Sequence, residues 1–222
     1  MSYLRYLLNE ELVEIYSEVR DFSRKLCTDI FEALILTILS QNTSSINMWR
    51  AFNELKRRIG CTPQDLYRAR IKDIEDAIRI AGMYRIRSRK IKLLVKKIVE
   101  EYNGDLSFLK DMPLEKARAL LLSLPGVGYK TADIILLFCF NKHVFPIDTH
   151  IFRISRRLGL IDQKDGYEVL RRKLEEIIKP ENYKLVHLAL IRHGRKICKP
   201  QNPLCEHCIF RNVCPYSMSS RK

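Results

Sequence analysis

Nowhere in this 222-residue sequence do apolar residues run long enough to cross a bilayer, so no spanning segment is expected. The opening stretch, MSYLRYLLNEELVEIY, has too short an apolar core, and too much acid from Glu10 onward, to serve as a secretory signal. These two absences point to a cytoplasmic, nucleoid-associated protein, or a nuclear one in a eukaryote. Strict alternation of apolar and polar residues is missing as well, which argues against half-buried strands. Nearly every segment instead shows helical spacing, so the expected fold class is all-α. No low-complexity tract, repeat period or flexible linker interrupts the chain, and any domains must therefore pack closely. Acid is scarce: 26 Asp and Glu face 40 Lys and Arg, leaving a net charge of +14. Such a surplus attracts polyanions, nucleic acid first, with acidic proteins and anionic membrane surfaces as weaker candidates. A hydrophobic content of 46% suffices for one large core or two modest ones and speaks against disorder.

The seven cysteines are unevenly placed. Cys27, Cys61 and Cys139 are scattered among apolar neighbours, whereas Cys198, Cys205, Cys208 and Cys214 follow the spacing C-x6-C-x2-C-x5-C. An odd total with one dense cluster argues for a metal in a reducing compartment and against a disulfide framework. Thiolates packed that closely repel one another unless a metal neutralises them. Four cysteines serve either zinc or an iron–sulfur cluster. The single C-x-x-C knuckle tilts the choice toward iron–sulfur without deciding it, and His207, inside the loop, reads as a bystander.

Helix punctuation divides the rest. A first helix is expected over Glu10 to Phe22. Thr28 or Asp29 then caps FEALILTILSQ, apolar on almost every side and so placed mid-bundle. Ser44 or Ser45 caps Ile46 to Ile59, and Thr62 with Pro63 opens Gln64 to Ala69. A short helix over Asp73 to Ile80 stops at Gly82. From Arg85 to Tyr102 runs a long helix bearing Arg85, Arg87, Arg89, Lys90, Lys92, Lys96 and Lys97, and Pro113 starts the next one. Further helices follow Asp148, span Gly166 to Lys179, and run from Asn182 to Lys196.

The segment LPGVGYKTAD, Leu124 to Asp133, carries the chemistry. Its Pro-Gly-Val-Gly turn links two amphipathic helices and exposes backbone N–H groups beside the positive end of the second, an arrangement suited to a phosphate. Lys130 falls in the first turn of that helix, where the macrodipole disfavours a like charge and so favours the neutral, nucleophilic amine. The carboxylate of Asp148 follows Pro146 and precedes Thr149, His150 and Ile151, where it also makes a natural N-cap. The expected reaction is attack by Lys130 on a sugar carbon of DNA, assisted by Asp148.

LPGVG-x-KTA, DTH-I-x-R and the cysteine spacing, in this order, resemble the endonuclease III family, the helix-hairpin-helix DNA glycosylases and AP lyases with a C-terminal [4Fe-4S] cluster. The resemblance covers about Asp29 to Cys214. It implies a six-helix barrel with the helix-hairpin-helix motif over residues 24–140, and a second helical domain carrying the iron–sulfur loop from residues 1–23 and 141–222. It assigns Lys130 as the Schiff-base lysine and Asp148 as the essential aspartate. Gly126, Val127 and Gly128 become the phosphate-gripping hairpin, and the four clustered cysteines become the ligands of a [4Fe-4S] cluster. Gln41 matches the residue that fills the gap left by an extruded nucleotide, Met83 matches an aliphatic wedge, and His150 supports the site. The implied partner is double-stranded DNA with damaged bases or abasic sites, bound by a monomer. The implied activity is removal of oxidised pyrimidines followed by β-elimination 3′ to the lesion. The rival readings are a mismatch-specific thymine or uracil glycosylase, a non-catalytic binder of damaged DNA, and an iron–sulfur redox sensor. Lys130 speaks against the first, and Thr37 stands where the adenine-removing branch carries Glu.

Overall fold

A computed structural model describes residues 2–20, 27 and 29–219. Among these residues every regular element is helical, and none of the helices is long and apolar enough to cross a membrane. The chain divides into two compact units, Leu26–Phe140 and a second made of Met1–Lys25 with Asn141–Lys222.

The N-terminal segment is helical from α1 (Ser2–Tyr6) through a π-helical turn at Leu7–Glu11 into α2 (Leu12–Ile15). The expected start at Glu10 is thus too late, and Phe22 lies outside the described residues. Asn9 and Glu10 look like a helix start, yet Leu4, Leu7, Leu8 and Leu12 form one buried stripe across them. Asn9 is itself buried and donates to the carbonyls of Arg5 and Ile177, while its oxygen accepts from the Lys179 N–H at 2.7 Å.

The 26–140 unit contains α3 (Ile30–Ser40), α4 (Ser45–Arg58), α5 (Pro63–Arg68), α6 (Ile71–Ile78), α7 (Tyr84–Tyr102), α8 (Leu114–Ser123) and α9 (Tyr129–Phe138). Their starts obey local chemistry. Asp29 accepts from the Glu32 N–H at 2.7 Å, Ser44 from that of Asn47, and Thr62 forms a reciprocal capping box with Asp65 ahead of Pro63. Helix α3 packs on α4, α7 and α9 with Leu34, Ile35, Ile38 and Leu39 fully buried, which makes it the middle of its bundle. Burying each such side chain contributes roughly 1.5–3 kcal/mol.

Cys27 and Cys139 form a disulfide across 112 residues, contrary to the expectation of no disulfide framework. Cys27 lies just ahead of α3 and Cys139 caps the end of α9, so helix packing unites thiols that sequence spacing keeps apart.

In the other unit, α10 (Thr149–Arg157), α11 (Tyr167–Ile177), α12 (Tyr183–Lys196) and α13 (Pro215–Ser219) follow. Helices α10 and α12 cross closely at Gly194, where an added Cβ would lie 2.7 Å from that of His150. Only glycine fits there without displacing α10.

Candidate active site

The turn between α8 and α9 is closed by the Val127 N–H donating to the Leu124 carbonyl at 3.1 Å. Val127 is buried and its amide is engaged, so it anchors the turn from within and leaves no donor for a ligand. The N–H groups of Gly126, Gly128 and Lys130 make no backbone hydrogen bond among the described residues. The two glycines serve different needs. Gly126 has φ +82°, a left-handed conformation that disfavours any side chain. Gly128 has an ordinary φ of −100°, and an added Cβ would meet nothing within 4 Å. No packing inside the chain requires glycine at position 128, and its open, donor-bearing face suits close approach by a phosphate.

Lys130 is the second residue of α9, exposed, with no hydrogen bond or ion pair to a described residue. Beneath it, a buried ion pair braces the two helices of the motif. The Arg118 guanidinium of α8 forks onto the carboxylate of Asp133 in α9 at 2.6 and 3.1 Å, with Asp133 fully buried. The same guanidinium lies 5.3 Å from the centroid of the exposed Tyr129 ring. Sequence reading missed this pair, although a charge inside each of two apolar helices, RALLL and ADIILLF, was its signal.

Gln41 and Met83 are brought together by α7. Met83 is 52% exposed and adopts a left-handed φ of +46° directly after Gly82 at φ +74°. Arg87, 2% exposed, donates to the carbonyls of Gln41, Ala81 and Gly82. Lys90 reaches the Gln41 side-chain oxygen at 3.4 Å. The basic run on α7 is therefore not a uniform charged face. Lys92 donates to the carbonyls of Leu66, Tyr67 and Ala69 at the end of α5, and Lys97 donates to that of Ser123. Arg85, Arg89 and Lys96 remain exposed.

In the second unit, Asp148 caps α10 by accepting from the Ile151 N–H at 2.8 Å and is 9% exposed. The cap engages one oxygen and fixes the other. His150 packs against Gly194, with its Nδ1 3.1 Å from Arg153. Arg153 and Arg157 continue along α10 into the cysteine loop. Arg153 donates to the Cys198 carbonyl, and Arg157 to the Cys198 sulfur at 3.2 Å and to the carbonyls of Lys199 and Pro200. Cys214 Sγ lies 3.2 Å from the Arg157 carbonyl, and Cys208 Sγ lies 3.4 Å from Nε2 of His193. Burial pushes the Cys208 thiol up to about 11, and the neighbouring sulfurs of Cys198, Cys214 and Cys205 push the same way. All four clustered thiols are free, though among the described residues no three His, Cys, Asp or Glu side chains stand arranged as a metal site. The donor set itself, four sulfurs of one loop within electrostatic reach, suits a thiophilic centre that offsets their negative charge.

Residues 35–180 match the family described as HhH-GPD superfamily base excision DNA repair protein. Endonuclease III of Thermotoga maritima is 38% identical over 189 residues, covering 85% of this chain and 84% of that protein. Endonuclease III of Sulfolobus acidocaldarius is 36% identical over 195 residues, covering 87% and 85%. The chain belongs to the endonuclease III family. Its backbone agrees with that of an endonuclease III solved in a non-covalent DNA complex, with a TM-score of 0.85 at 29% identity over 100% of this chain and 98% of the other. An endonuclease III in a trapped covalent DNA intermediate gives a TM-score of 0.86 at 28% identity over the same shares.

For this member of the endonuclease III family, the 26–140 unit carries Gln41, Met83, the hairpin and Lys130. The other unit carries Asp148, His150 and the four clustered cysteines.

Proposed function

We propose that the chain is a bifunctional DNA glycosylase and AP lyase that removes oxidised pyrimidines from duplex DNA, with Lys130 as the nucleophile. The observation that carries this reading is an exposed lysine, without an ion pair among the described residues, in the first turn of a helix whose hairpin presents unengaged backbone donors. Extruding a base costs a few kcal/mol, least for a lesion that stacks poorly, so selection begins before chemistry. The neutral Lys130 Nζ then attacks C1′, the glycosidic bond breaks, and the base departs with its bonding electrons and takes up a proton. Opening of the sugar ring leaves an imine between Nζ and C1′. Loss of a C2′ proton expels the 3′ phosphate, and water releases the lysine. Asp148 stabilises the positive charge that develops on the sugar.

The test is a panel of duplexes bearing thymine glycol, 5-hydroxycytosine, uracil, T opposite G, or an abasic site, with base release and strand scission scored separately. Oxidised pyrimidines and the abasic site are expected to be cut. Release of only uracil or mismatched T, without scission, would reverse the assignment to a monofunctional mismatch glycosylase.

Cys198, Cys205, Cys208 and Cys214 are the proposed ligands of a [4Fe-4S] cluster. When bound, the cluster neutralises the thiolates and cross-links their loop, while Arg153 and Arg157 hold that loop to α10. Purified protein is expected to contain about four irons and four labile sulfides per chain. Stoichiometric zinc without iron would contradict this.

A further inference from the structure

On α7, Arg87 and Lys90 are three residues apart and share a face. Both hold Gln41, but by different groups: Arg87 takes its backbone carbonyl, Lys90 its side-chain oxygen. Each also holds a second segment. Arg87 donates to the carbonyls of Ala81 and Gly82, immediately before the left-handed Met83. The Lys90 stem lies under the hairpin, with its Cβ, Cδ and Cγ 3.5, 3.6 and 3.8 Å from where a Gly126 Cβ would stand. A left-handed non-glycine backbone is strained and persists only where its surroundings over-determine it. The Arg87 fork, fixing the two carbonyls ahead of Met83, supplies that constraint. Arg87 cannot contact a phosphate from its buried position, so its charge serves loop geometry instead.

We infer that Arg87 and Lys90 are positioning residues that lock the Gln41 loop, the Gly82–Met83 turn and the hairpin into one rigid device for opening duplex DNA. The inference rests on the proposed function above. Lys90 adds a specific setting: with its ammonium on the Gln41 oxygen, the amide NH2 is turned away as a donor toward acceptors of the unpaired base. Arg87→Lys keeps the charge but loses the planar fork that spans several carbonyls. Lys90→Met keeps the stem over Gly126 but releases the amide.

The experiment compares wild type, Arg87→Lys and Lys90→Met in three assays. The first is single-turnover base removal from a thymine-glycol duplex, which requires opening. The second is scission of a preformed abasic site in a single-stranded oligonucleotide, which does not. The third is fluorescence of 2-aminopurine placed opposite a tetrahydrofuran abasic analogue in a duplex, which rises when that base loses its stacking. Base removal is expected to fall about tenfold to a hundredfold in each variant, as for a misplaced reacting partner. Single-strand scission should stay within about twofold, and the fluorescence rise at saturating protein should shrink. Equal losses in both rates, or no loss in either, would overturn the inference. If wild type were inactive on both substrates, the proposed function would fail, and the fluorescence arm would still decide: an undiminished rise in both variants rejects the positioning role.

Discussion

Lys130→Gln is expected to abolish strand scission and borohydride trapping, and to slow base removal by on the order of a thousandfold or more, because it removes the only atom proposed to bond to the sugar. The side chain is exposed, and glutamine is as good a helix former as lysine, so stability should change by less than about 0.5 kcal/mol. Binding to damaged duplex, and its salt dependence, should change only modestly, since the hairpin donors and the remaining basic surface are untouched. Single-turnover kinetics and fluorescence anisotropy on the same oligonucleotide separate the two effects. A general loss of binding together with activity would instead make Lys130 a phosphate contact.

Arg118→Met is expected to cost about 3–5 kcal/mol of unfolding free energy, the largest stability effect foreseen here. Methionine keeps much of the packing volume but leaves the Asp133 carboxylate, fully buried in α9, without its bidentate partner. The Arg118–Asp133 fork also fixes how α9 meets α8, and α9 carries Lys130, so residual folded protein should react slowly. Denaturant unfolding of the single variants and of Arg118→Met with Asp133→Leu checks this. The double variant should recover a large part of the loss, because neither charge is then buried alone. A cost below about 1 kcal/mol for Arg118→Met would mean that the pair is solvated and does not brace the motif.

Particular residues show why some of this was legible in the sequence. Helix starts at Asp29, Ser44 and Thr62 follow from short-range hydrogen bonds, and a three-residue window contains all the chemistry involved. Gly126 and Gly128 stood out as a turn, yet only coordinates separate the glycine needed for its φ from the one that leaves room for a ligand. The separate roles of the α7 charges were not legible in the sequence, for a physical reason. A run of Arg and Lys looks like a solvated face, but carbonyls at the ends of other elements also need donors, and Arg87, Lys92 and Lys97 supply them. Cys27 with Cys139, and Asn9 with Ile177 and Lys179, join residues far apart in the chain, so no local pattern could announce them.

The most direct measurement is mass-spectrometric peptide mapping of the wild-type protein after borohydride reduction on an abasic-site duplex. A single adduct is predicted, with the sugar remnant on Nζ of Lys130. An adduct on another amine, or none despite strand cleavage, would contradict the assignment of Lys130 as the nucleophile.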